Sequence, residues 1–215
     1  MVSSFVWRLA SGELVRDLED SHLHAGVAEL LPEALGRISS DGRTFILVEI
    51  DMGRVVGVTN GVTTRPGDSI VYAQRPGRPG LTRFVLNREP EPCRYVRVAL
   101  TWVDEEYKIL TAYIGRASEL EPADSMAKFS TSYGFWKDFA LLWGFEPVVS
   151  CTRQDARADH PEAVTCPHCG QRTLWYAVAA CIACSRLGCQ YCLVNQANQR
   201  TGKIVRWHVR CGYSC

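Results

Sequence analysis

Eight of the ten cysteines in this 215-residue chain fall within its last fifty positions, as four close pairs. The pairs are Cys166/Cys169, Cys181/Cys184, Cys189/Cys192 and Cys211/Cys215. A tight turn can aim two thiols, two or three residues apart, at one ion, and a second such turn completes a tetrahedron. Four pairs supply two complete four-cysteine sites, so the spacing predicts a C-terminal domain built around two structural zinc ions. The competing use, a disulfide framework, needs an oxidising compartment. Met1 to Val15 lacks the basic stretch and apolar run of an export signal, and Glu13, Asp17, Glu19 and Asp20 break up the residues around and after its end. Metal-bound thiolates in a reducing, cytoplasmic setting are the expectation. Cys93 and Cys151 stand alone as ordinary thiols. His168 and His208 lie beside the pairs, and with eight thiols to hand they are expected as spectators.

Gaps of 11, 4 and 18 residues separate successive pairs. Sequential pairing would make two consecutive ribbons; interleaving would put the first and third pairs on one ion and the second and fourth on the other. The link from Cys184 to Cys189 spans at most roughly 17 Å, at about 3.3–3.6 Å per residue, so chain geometry permits both. The full spacing resembles the cross-brace of FYVE-type fingers, above all in the C-x2-C-x4-C-x2-C run from Cys181 to Cys192. That resemblance implies interleaved ligands. Ser185-Arg186-Leu187-Gly188 stands where those fingers carry a basic lipid-reading motif, which argues against phosphoinositide binding. RING fingers share the brace but place a histidine near the third ligand, and none stands there.

An apolar content of 47% and a charged content of 22% describe ordinary globular matter, enough for one sizeable core and a small second domain. No apolar run approaches the 18 or so residues of a membrane span, so no membrane partner is expected. The formal net charge of +1 conceals an asymmetry. Residues 1–150 carry 16 Lys+Arg against 20 Asp+Glu, and residues 151–215 carry 8 against 3. A basic finger suggests nucleic acid, but two Zn²⁺ held by eight thiolates would cancel most of that charge.

Ser21 to Arg37 places Leu23, Val27, Leu30, Leu31 and Leu35 at helical spacing, with Pro32 as a kink. Strands are expected at Thr44–Asp51, Val55–Thr59, Ser69–Gln74, Thr82–Asn87, Tyr95–Val103 and Tyr107–Gly115, the first two as a hairpin around Met52-Gly53-Arg54. Aromatic residues from Phe129 to Phe145 predict a second helix. The expected fold class is α+β: an N-terminal helix, an antiparallel meander and a C-terminal helix, with a small two-zinc finger. Residues 1–149 form the first domain, the polar stretch 150–165 a linker, and 166–215 the finger.

Three places in the first domain carry polar groups suited to chemistry. His22 and His24 stand at the expected helix start, Arg83 comes after a Pro/Gly-rich turn, and Thr111 and Tyr113 alternate on one strand face. An imidazole, a guanidinium and two hydroxyls suit phosphodiester cleavage. In this order, with Leu81-Thr82-Arg83-Phe84, Tyr107 to Gly115 and Phe135-Trp136, they resemble the metal-independent ribonuclease toxins of the barnase/EndoU/colicin/RelE superfamily, nearest the RNase A-like contact-dependent-inhibition toxins. Thr82 stands where that family has Ser. The resemblance implies that His24, or His22 as its rival, moves the proton of the ribose 2′-OH or of the leaving oxygen. It further implies that Arg83 holds the scissile phosphate while Thr111 and Tyr113 orient it, with no catalytic metal. Arg75 and Arg78 would be secondary phosphate contacts. RNA is then the substrate, and an immunity or targeting protein the partner. The alternative is a non-enzymatic zinc-finger adaptor that binds nucleic acid or a protein.

Overall fold

A parallel strand pair, which no simple meander contains, lies at the centre of each of two sheets. The computed structural model describes residues 6–23, 26–156, 159–197 and 204–208. Among these, Leu31–Leu35 and Phe129–Trp136 are the α-helices, and strands dominate the rest. The expected α+β arrangement is corrected to a mostly β architecture.

Two local competitions account for the difference. Leu14–Leu23 is a strand, so His22 lies in a sheet and not at a helix start. A 3-10 turn at Ala28–Leu30 leads into an α-helix confined to Leu31–Leu35, where Pro32 sits in the first turn. Proline has no N–H to lose there and its fixed φ suits the start of a helix, so it begins the element that it was expected to kink. Leu31, Ala34 and Leu35 are buried, and the Gly36 N–H closes the turn on the Pro32 carbonyl. The second expected helix stops at Trp136, and Phe139–Leu142 is a strand. It runs parallel to Leu81–Val85 and antiparallel to Gly61–Thr63. A central strand covered on both faces reads as one apolar run, and so does a short buried helix.

The chain folds as two compact units, residues 1–60 with 90–117, and residues 61–89 with 118–215. In the first, the sheet order is Val6–Arg8, Leu14–Leu23, Glu106–Ile114, Tyr95–Val103, Phe45–Asp51. The expected hairpin around Met52-Gly53-Arg54 is absent from this pattern: Phe45–Asp51 pairs with Tyr95–Val103, and Gly57–Thr59 pairs with Glu91–Cys93. Inward residues of three strands, among them Ile46, Val98, Leu100 and Ile109, pack with Val27, Leu31 and Leu35 into one apolar cluster.

A bulge at Leu110 decides which face the later residues of its strand occupy. Ile109 pairs with Leu100, but Thr111 pairs with Ala99, so Leu110 has no opposite number. Tyr107 and Ile109 point into the core before the bulge, and Ala112 does so after it. Thr111 and Tyr113 therefore share the outer face, with Arg97 directly opposite Tyr113.

The second unit holds the sheet ordered Gln154–Asp155, Ile70–Gln74, Leu81–Val85, Phe139–Leu142, Gly61–Thr63. Its core joins Val71, Phe84, Trp136 and Leu141 to Val164, Trp175, Val178 and Leu187. Tyr72 stacks on Trp175 at 5.4 Å and donates its hydroxyl to the Pro161 carbonyl at 2.8 Å. The 150–165 stretch carries the Gln154–Asp155 strand, and the Thr152 hydroxyl oxygen accepts the Gln74 N–H at 2.8 Å. Ala163–Thr165 pairs with Arg172–Leu174 ahead of the cysteine turns.

Candidate metal centre

Cys166, Cys169, Cys189 and Cys192 converge, their Sγ atoms all within 4.8 Å of one another. Cys166 and Cys192 stand 3.9 Å apart, Cys169 and Cys189 3.9 Å, and Cys189 and Cys192 3.8 Å. Four ligands on metal–sulfur arms of about 2.3 Å form a tetrahedron with edges of about 3.8 Å. A disulfide would need about 2.05 Å, and all four thiols are free. The four can hold one metal ion. The first and third pairs share this site, which is the interleaved arrangement.

Backbone hydrogen bonds set the turns that aim these thiols. The Cys166 N–H donates to the Gln171 carbonyl at 2.8 Å, and the Gly170 N–H returns to the Cys166 carbonyl at 2.9 Å. Gly170 has φ +76°, a left-handed conformation that glycine adopts without a Cβ clash. The Cys189 N–H donates to Cys166 Sγ at 3.2 Å. Such donors favour thiolate. For Cys166 burial works upward, but the N–H groups of Cys169, His168 and Cys189 outweigh it and bring the thiol down to about 7. Burial pushes the Cys189 and Cys192 thiols up. A bound cation replaces protons at thiols of this kind.

The second pair repeats the first pair's backbone. The Cys181 N–H donates to the Arg186 carbonyl at 2.9 Å, and the Ser185 N–H returns to the Cys181 carbonyl at 2.8 Å. Ser185 takes the left-handed place of Gly170, with φ +57°. Cys181 is buried and Cys184 exposed. Cys211 and Cys215, the expected partners of this pair, lie outside the described residues. Of the unpaired cysteines, Cys151 is exposed, and Cys93 is buried with its Sγ accepting the Tyr95 N–H at 3.4 Å.

The residues singled out for phosphodiester chemistry fall in both units. His22 is the backbone partner of Thr111 in the parallel pair, and Thr111 and Tyr113 lie on the outer face of that sheet. His24 lies outside the described residues. Arg83 belongs to the second unit, where its guanidinium donates to the main-chain carbonyls of Trp136, at 3.1 Å, and Lys137. Those carbonyls end the Phe129–Trp136 helix, so Arg83 serves there as a cap. Arg75 is held by Glu121 and by Glu146, the latter at 2.7 Å. Sequence reasoning missed Arg97, which the antiparallel register puts beside Tyr113. The two-residue turn Asp104-Glu105 signals the hairpin, but counting back from it misplaces Arg97 by one because of the bulge.

No family model, no curated protein and no solved structure matches this chain.

Proposed function

We propose that the chain is a non-catalytic adaptor whose second unit is a binding module stapled by zinc. The observation that carries this reading is the set of Sγ separations of 3.8–3.9 Å among Cys166, Cys169, Cys189 and Cys192. Four thiolates in a closed tetrahedron suit zinc and leave no position for water or substrate, so the ion stabilises the fold and performs no chemistry. A second zinc, on Cys181 and Cys184 with Cys211 and Cys215, is supported by the matching hydrogen bonds of the first two turns. Elemental analysis of protein purified under reducing conditions is the test. Two zinc ions per chain and loss of cooperative unfolding on chelation are expected. Iron in their place, or a fold indifferent to chelation, overturns the reading.

One observation favours a second reading, metal-independent cleavage of RNA: the register that sets His22 against Thr111 and Arg97 against Tyr113. His22 would then move the proton and Arg97 would hold the phosphate. Chelator-resistant cleavage of a mixed RNA pool, abolished by His22→Ala, Thr111→Ala and Arg97→Ala with unchanged melting, would establish it. An RNA pool left intact for hours by the wild-type protein returns the case to the adaptor.

A further inference from the structure

The second unit contains a cavity of about 310 Å³, walled by the loop from Gln74 to Pro79, by Ala123 and by the Ala179–Ser185 turn, with Arg206 on the facing strand. We propose that this cavity binds a carboxylate on a short aliphatic body, supplied by the C-terminus of a polypeptide or by a free short-chain acid. It gives the zinc-stapled binding module a ligand chemistry, and so rests on that reading.

Charge is the first argument. Glu121 and Glu146 hold Arg75, and the charge of Arg78 also acts on Glu121, whereas Arg206 has no carboxylate against it among the described residues. Arg78 and Arg206 line the cavity. Arg206 is partly buried, with one guanidinium N–H on the Ala123 carbonyl at 3.2 Å. Burial without an opposing charge works against the guanidinium, and an arriving anion offsets that cost. Two forks, one from a loop and one from a strand, suit the paired acceptors of a carboxylate.

Shape and lining are the second argument. Pro79, Ala123, Ala179 and Ile182 present small aliphatic surface, and Ile182 is 55% exposed. No aromatic ring is among the described lining residues, and the small aliphatic walls suit a short alkyl body. The walls are pinned independently of any ligand. The Ala180 N–H donates to the Pro79 carbonyl at 2.6 Å and the Ile182 N–H to the Arg206 carbonyl at 2.8 Å, while the Gln74 side-chain amide donates to the Arg78 carbonyl at 2.8 Å. A preformed pocket spares the ligand an ordering cost.

The test titrates zinc-loaded full-length protein, of measured metal content, with valerate, acetyl-Ala-Val, acetyl-Ala-Val amide and inorganic phosphate, following Arg side-chain and Ile182 amide resonances by NMR. Saturable shifts with a Kd on the order of 1 mM or tighter are expected for an acid of this size. Arg78→Gln and Arg206→Gln should each weaken binding at least about tenfold, as the loss of one guanidinium–carboxylate pair requires. Arg78→Gln keeps the main-chain carbonyl that Gln74 holds, and its urea unfolding, measured on the same sample, separates lost binding from lost fold. Tighter binding of the peptide identifies a chain terminus as the source, and equal binding of valerate a free acid. Either supports the site. No saturable shift from either acid, equal binding of the peptide amide, stronger binding of phosphate, or indifference to both substitutions overturns it. Absence of zinc from the same sample would instead count against the binding module itself.

Discussion

Cys166 and Cys192 are 26 positions apart in sequence, and their Sγ atoms stand 3.9 Å apart. Between them the chain makes the whole Cys181–Cys184 turn and returns, so one ion on this quartet closes a long loop. The Cys181–Cys184 turn is therefore carried on the loop that this quartet closes.

Cys189→Ser should remove at least one metal equivalent per chain and abolish cooperative unfolding of the second unit. Structural zinc contributes roughly 10–16 kcal/mol in isolated fingers near neutral pH, so a variant that no longer holds the ion loses about as much as a typical domain's whole stability. Cys151→Ser, at an exposed thiol outside the cluster, should leave metal content and melting unchanged. Elemental analysis with calorimetry checks both. Undiminished zinc in Cys189→Ser would refute the quartet.

The Arg75–Glu121 pair should govern acid stability. Glu121 is 1% exposed. Burial alone would raise its carboxyl, but the charge and hydrogen bond of Arg75 win and hold it below its ordinary value of 4.5. The folded value lies below the unfolded one. The pair's contribution is therefore complete above pH 4.5 and lost as pH falls through the folded value. Arg75→Met leaves a buried carboxylate without its partner, which costs about 3–5 kcal/mol at pH 7. Without Arg75 the pull of burial is opposed only by the charge of Arg78, a backbone N–H and the Thr82 hydroxyl, so the carboxyl of that variant rises and its deficit should shrink between pH 7 and about pH 5. Urea unfolding of variant and wild type at both values measures the difference. A deficit that widens on acidification would contradict the assignment.

Part of this structure is legible in the sequence because it is local. A thiol pair two residues apart declares its turn, and alternation sets Thr111 and Tyr113 on one face. The illegible part depends on partners distant in the chain. The sheet pairs Phe45–Asp51 with Tyr95–Val103, overriding a Gly-centred turn at Met52-Gly53-Arg54. Phe139–Leu142 becomes a strand because two others flank it. Leu110 carries no bulge signal, yet it shifts the opposite of Tyr113 to Arg97. The pair at Cys166 and the pair at Cys189 leave two groupings open to any argument from chain length, and only packing chooses.

Gly80→Ala should destabilise through one contact. A Cβ at Gly80 would lie 2.4 Å from the Ala123 Cβ and 3.2 Å from the Val178 carbonyl oxygen. Neither neighbour is a flexible side-chain end, so backbone must shift, at about 1–3 kcal/mol. Ala123→Gly in the same chain removes the nearer atom and should recover most of the loss. Urea midpoints of the two variants decide it. Equal destabilisation of both would place the strain elsewhere.

Glu105→Gly should stabilise the first unit. Val103 pairs with Glu106, so Asp104 and Glu105 form a two-residue hairpin loop, and both take positive φ, 52° and 65°. Such type I′ loops match the twist of the flanking strands, and Asp-Gly is a preferred sequence for them. Glutamate in the left-handed region carries a cost of roughly 1–2 kcal/mol from its Cβ, part of which glycine returns as unfolded-state entropy. A net gain of about 0.5–1 kcal/mol is the expected result. Glu105 is exposed, so no packing is lost in the exchange. Asp104→Gly serves as the comparison: aspartate tolerates this conformation better than glutamate, so its gain should be smaller. Urea unfolding of the two variants ranks them, and a loss of stability in Glu105→Gly would rule out the turn conformation on which the register of Tyr113 and Arg97 depends.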